Sequence, residues 1–131
     1  RSARHPNRYC QILNYQIPNH SDLRAIYLWP PLTEFIRQVL NVEQLFLSQC
    51  PHLALTIKVA YEGDTDGWHY DPNDGVVTLV LQAADNGGEF EYAPNIRNKI
   101  NQNYAGVDRL FKSPDVEATR PILEPGTFTF F

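Results

Sequence analysis

The spacing of apolar residues switches along the chain, and each switch predicts a different element. The first 20 residues show no helical period and read as loop with one strand around Gln11 to Ile17. A short helix is predicted from Asp22 to Trp29, where Pro30-Pro31 stops it. Pro31 then suits the first turn of a second helix. Leu32, Phe35, Ile36, Val39 and Leu40 follow at i, i+3, i+4, i+7 and i+8, which predicts an amphipathic helix with the Phe35/Ile36/Val39 stripe in the core. Val42, Leu45 and Phe46 predict one more turn before Cys50-Pro51.

From Leu53 the period becomes two. Leu53, Leu55, Ile57, Val59 and Tyr61 alternate with Ala54, Thr56, Lys58 and Ala60, the signature of a half-buried strand. Residues 62–67 form a turn-rich loop, and Pro72-Asn73-Asp74-Gly75 is a second turn. Val76 to Gln82 is a gap-free strand, Asp85-Asn86-Gly87-Gly88 turns the chain, and Glu89-Phe90-Glu91-Tyr92 is a strand with its aromatics inward. Ile100, Tyr104, Val107 and Phe111 have helical spacing within Asn95 to Phe111, whereas Pro114 to Pro125 reads as irregular. After the Pro125-Gly126 turn, Thr127 to Phe131 begins a strand whose continuation is expected beyond the residues given. Helices ahead of short antiparallel strands predict an α+β fold, with the helices packed on one sheet of a jelly roll. A single domain over 1–131 is expected, in which 1–52 supports a core formed by 53–131.

Composition narrows the function classes. A chain of 131 residues with 43% hydrophobic residues has room for one core. Its formal charge of −4, with no Lys/Arg cluster, argues against nucleic acid as a partner. No run approaches the roughly 18 apolar residues of a membrane helix. The chain starts at Arg1 rather than Met, so removal of a leader stays open. Cys10 and Cys50 fit no metal spacing and read as free thiols of a cytoplasmic protein, the alternative being a single disulfide in a secreted one.

The candidate chemistry lies in Gly67-Trp68-His69-Tyr70-Asp71. On an extended backbone residues i and i+2 project to the same face, so the His69 imidazole and the Asp71 carboxylate can reach one metal ion. A second His from elsewhere in the fold would complete the facial triad of non-haem Fe(II) oxygenases. The other histidines are His5, His20 and His52, and none has a suitable context. A plainer alternative is a surface His beside a turn Asp that caps its neighbour.

Taken together, Tyr61-Glu62-Gly63-Asp64, Gly67 to Asp71, Thr78 to Gln82, Gly87-Gly88-Glu89-Phe90-Glu91-Tyr92 and Pro125 to Phe131 resemble the Fe(II)/2-oxoglutarate-dependent oxygenases. The likeness is to the branch of prolyl-hydroxylase-like enzymes and small enzymes that hydroxylate or halogenate free amino acids. It implies a double-stranded β-helix, a squashed barrel of about eight strands, with the C-terminal strands missing from residues 1–131. His69 and Asp71 match the first two iron ligands. The family's second ligand His, and the Arg or Lys that pairs with the far carboxylate of 2-oxoglutarate, would follow Phe131; Arg97, Arg109 and Arg120 do not match that position. The resemblance further implies cosubstrate contacts from Tyr61 and Thr78. It makes Trp68 a wall of the site, and it puts Asn73 and Asp74 where a small-molecule substrate enters. Each also has a structural reading, as core aromatic, strand threonine or simple turn. Because Asp71 supplies a carboxylate where halogenating members have Gly or Ala, hydroxylation with O₂ is expected. A non-catalytic, cupin-like jelly-roll binding module is the rival, and the sheet edge left by missing strands keeps a homo-oligomer open.

Overall fold

A computed structural model describes residues 8–70, 75–98 and 100–130. The chain is a mixture of helix and antiparallel sheet divided into two compact units, 1–68 and 69–131. No helix among the described residues is long and apolar enough to cross a membrane.

The first unit contains β1 (Cys10–Ile12), a 3₁₀ turn at Asn14–Gln16, α1 (Asp22–Tyr27), α2 (Pro30–Val39) and β2 (Ile57–Val59). β1 and β2 pair antiparallel, with Cys10 opposite Val59 and Ile12 opposite Ile57. The strand expected over 11–17 therefore ends at Ile12. The Gln16 side chain accepts from the Leu13 N–H at 2.8 Å and winds the following residues into the 3₁₀ turn. Ser21 caps α1 by accepting from Arg24 N, and Asp22 places a carboxylate in the first turn, where the helix dipole favours it. The Arg24 guanidinium returns to the 3₁₀ turn, donating to Asn14 Oδ1, Asn14 O and Ile17 O at 3.0, 2.6 and 2.8 Å. That clamp sits beside Ile17, one of the few buried apolar side chains.

Three further expectations for this unit are corrected. α2 does start at the proline pair, but Ile36 alone of the Phe35/Ile36/Val39 stripe is buried, while Phe35 and Val39 are more than half exposed. The period places the stripe on one face; it does not supply enough neighbouring chain to cover a face that wide. The extra turn at 42–46 is absent because Asn41 adopts a left-handed conformation, φ 52°. Val42 N then bonds Arg37 O and Asn41 N bonds Gln38 O, the paired bonds that close a helix on a left-handed residue. The strand expected over 53–61 shrinks to three residues. Pro51 opens a turn in which Ala54 N reaches back to Cys50 O, leaving Leu53 exposed.

The second unit contains β3 (Val77–Leu79), α3 (Tyr104–Lys112), α4 (Pro114–Glu117) and β4 (Phe128–Phe130). β3 and β4 pair antiparallel with Val77 opposite Phe130, Thr78 opposite Thr129 and Leu79 opposite Phe128. Gly126, at φ 92°, makes the bend that lets its N–H reach Val80 O and start that ladder. The segment 89–92 contributes one bridge, Tyr92 with Thr119, rather than a full strand. Phe90 and Tyr92 do share a face, their rings stacked with centroids 6.1 Å apart. The expected helix within 95–111 begins only at Tyr104, so Ile100 lies outside it and is almost fully exposed. Pro114 to Pro125 is not wholly irregular. Pro114 fits a helical first turn, and Asp115 and Glu117 favour its N-terminal end, giving α4. Leu110 on α3 is the buried anchor of this unit.

Candidate functional site

The approach to the motif is a turn built around one carboxylate. Beyond β2, Tyr61 accepts at its carbonyl from Asp64 N and donates its own N–H to Asp64 Oδ2, both at 2.9 Å. Gly63, at φ 80°, supplies the left-handed step between them. Asp64 is nearly buried, its side chain 8% exposed, and Arg8 Nε pairs with it at 3.2 Å. Arg8 and Thr65 exchange both backbone hydrogen bonds, and Lys58 on β2 pairs with Asp66 while lying 4.4 Å over the Tyr9 ring. The Tyr61-Glu62-Gly63-Asp64 sequence thus has a structural cause, which the Gly-Asp step after a strand could have signalled. Tyr61 itself is 70% exposed and Trp68 is half-buried.

In the second unit, His69 and Tyr70 are exposed and lie in neither a helix nor a strand. Asp71, Asn73 and Asp74 lie outside the described residues. Thr78 sits in β3, half-buried, and its hydroxyl bonds that of Thr129 directly across the ladder. This side-chain pair fixes the register between β3 and β4. The sequence-predicted residues are therefore divided, Tyr61 and Trp68 in the first unit and His69 and Thr78 in the second.

Downstream, asparagines shape the loop that leads into α3. Asn95 and Asn103 are left-handed, at φ 56° and 44°. Asn98 Oδ1 accepts from Ile100 N and Asn101 N, and Asn101 Oδ1 accepts from Asn103 N. Asn103 donates to Ile96 O at 2.8 Å and accepts from Gly106 N, capping α3. Within this loop the Arg97 guanidinium carbon lies 3.3 Å from the centroid of the Tyr70 ring, and Arg97 Nη1 donates to Gln102 Oε1 at 3.2 Å. Sequence reasoning missed this contact. A recess of about 210 Å³ lies nearby in the chain, bordered by Pro94, Ile96, Asn103 and the Arg109–Glu117 ion pair.

The donor chemistry of the described residues falls short of a metal site. His69 offers one imidazole, His52 packs edge-on against Tyr15 with ring centroids 5.5 Å apart, and His5 lies outside the described residues. Among the described residues no three His, Cys, Asp or Glu side chains come together to hold a metal ion. Arg109 and Arg120 are occupied by Glu117 and by Glu91 and Asp115. Both thiols, Cys10 and Cys50, are free. Compared with protein-family models, curated proteins and solved structures, the chain has no significant match.

Proposed function

We propose that residues 1–131 belong to an Fe(II)- and 2-oxoglutarate-dependent dioxygenase of double-stranded β-helix architecture, a hydroxylase acting on a small molecule such as an amino acid. His69 and Asp71 are two of the iron ligands in this reading. The observation that supports it is the pairing of β3 with β4. The strand just behind the motif and the strand from Thr127 lie side by side, antiparallel, with Phe130 opposite Val77. β4 therefore runs back toward the end of β3 that follows the His69–Asp71 segment. The reading needs that arrangement, because its second ligand His follows the strand matching β4 and must return to the same end of the sheet.

Bound iron would supply oxidative decarboxylation of the keto acid coupled to hydroxylation. Of the iron ligands that reading needs, the described residues contribute one, His69. What the chain itself contributes to the proposal is an exposed imidazole ahead of a strand whose register is fixed by Thr78 and Thr129.

Anaerobic titration of the whole protein, including whatever follows the strand matching β4, with Fe(II) and 2-oxoglutarate tests the reading. The expected result is a visible charge-transfer band that saturates stoichiometrically and is lost in His69→Ala. A wild-type protein that gives no band overturns the proposal and leaves the non-catalytic jelly-roll module. A band that survives His69→Ala removes His69 from the ligand set.

A further inference from the structure

Charge bookkeeping across the described residues singles out one cation. Arg8, Arg37, Lys58, Arg109, Lys112 and Arg120 each pair with a carboxylate. Arg24 has no carboxylate, but both terminal nitrogens of its guanidinium are taken up by two backbone carbonyls and the Asn14 side-chain oxygen, and its Nε is buried away from any ligand. Arg97 is different. Among the described residues its partners are the Tyr70 ring and the neutral Gln102 amide, and neither cancels its charge. In a chain of net charge −4, with acidic residues in excess, that is an unusual vacancy.

We infer that Arg97 is a binding residue for a small carboxylate or phosphate anion. Three physical features carry this. A guanidinium has five N–H donors in a planar fork, and one goes to Gln102, leaving an edge that matches the two oxygens of a carboxylate or phosphate. Contact with the Tyr70 ring, 3.3 Å from the guanidinium carbon to the ring centroid, restrains that fork, so less side-chain freedom is lost when the anion binds. The loop beneath it is held by neutral asparagine side chains rather than by carboxylates, so it offers no internal competitor. The site does not depend on a metal at His69 and is tested on the metal-free protein.

The test is NMR titration of the metal-free protein with succinate and, separately, with inorganic phosphate, following the Arg97 Nε–Hε resonance and the Tyr70 ring. A saturating shift at Arg97, lost in Arg97→Gln and at least about tenfold weaker in Arg97→Lys, is the expected result, since lysine keeps the charge but not the fork. Arg97 is exposed, so both variants should keep the wild-type spectrum elsewhere. Succinate binding without phosphate binding assigns a carboxylate ligand, and the reverse assigns a phosphate ligand. Non-saturating shifts, or shifts equal at Arg97, Arg109 and Arg120, show general ionic screening and overturn the inference. Binding that survives Arg97→Gln overturns it as well.

Discussion

The turn after β2 and the loop before α3 achieve the same end with opposite chemistry. Both reverse the chain through left-handed residues, Gly63 in the first and Asn95 and Asn103 in the second. The first is closed by the Asp64 carboxylate, and its charges are cancelled within the unit by Arg8 and Lys58. The second is closed by asparagine amides, which satisfy backbone N–H groups without adding charge. A carboxylate at those positions would have attracted Arg97 as its counter-ion. Amides leave the guanidinium to Tyr70 and to a ligand. The difference separates a turn that only has to hold its shape from one that also keeps a charge available.

If that contrast is right, removing the closing side chain should be costlier where it is charged and nearly buried. Asp64→Ala leaves the Tyr61 N–H and Arg8 without their acceptor, and an expected loss of about 2–3 kcal/mol is to be read from urea unfolding. Asn103→Ala removes the α3 cap and the bond to Ile96 O, and also puts a Cβ-bearing residue without a polar side chain into the left-handed region. About 1–2 kcal/mol is expected, measured the same way. Equal losses at the two sites would break the comparison.

The smallest effect is predicted for a carboxylate that closes nothing. Glu34 on α2 accepts from Arg37 and Gln38 on its own exposed helix face, and the Arg37 hydrogen bonds, then that of Gln38, lower its pKa to about 2. A pKa lowered by folding contributes stability above the unfolded carboxyl value, and that contribution fades as pH falls toward 2. Glu34→Gln should therefore flatten the acid limb of the thermal-midpoint-versus-pH curve slightly below pH 4 and leave it nearly unchanged at pH 1–2. A larger change at neutral pH than Asp64→Ala produces would contradict this ordering.

How far these features could be read in the sequence depended on how local their causes are. α2 was legible from Pro30-Pro31 and the spacing of Leu32, Phe35 and Ile36, all within one helix. Its end was not, because the apolar run Val42, Leu45, Phe46 continues the period while Asn41 alone decides the backbone. β3 and β4 were legible as apolar runs. Their pairing, and the Thr78–Thr129 bond, join residues far apart in the chain, and periodicity has no access to them. The motif at His69 was visible as a spacing. Arg97 was not, since a basic residue in an asparagine-rich loop looks like any solvated cation until its lack of a carboxylate partner among the described residues can be compared with the others.

The register pair Thr78–Thr129 spans 51 positions of chain. The entropy of closing such a span grows only logarithmically with length, so even doubling it would add about 0.6 kcal/mol. Evolution can therefore lengthen or exchange the surface segments between these strands, the Asp85–Gly88 turn among them, at little thermodynamic expense. The two short strands are the fixed frame in that view, and the exposed turns between them, unlike the buried Leu110 or the Arg97 loop, are where the chain can change length.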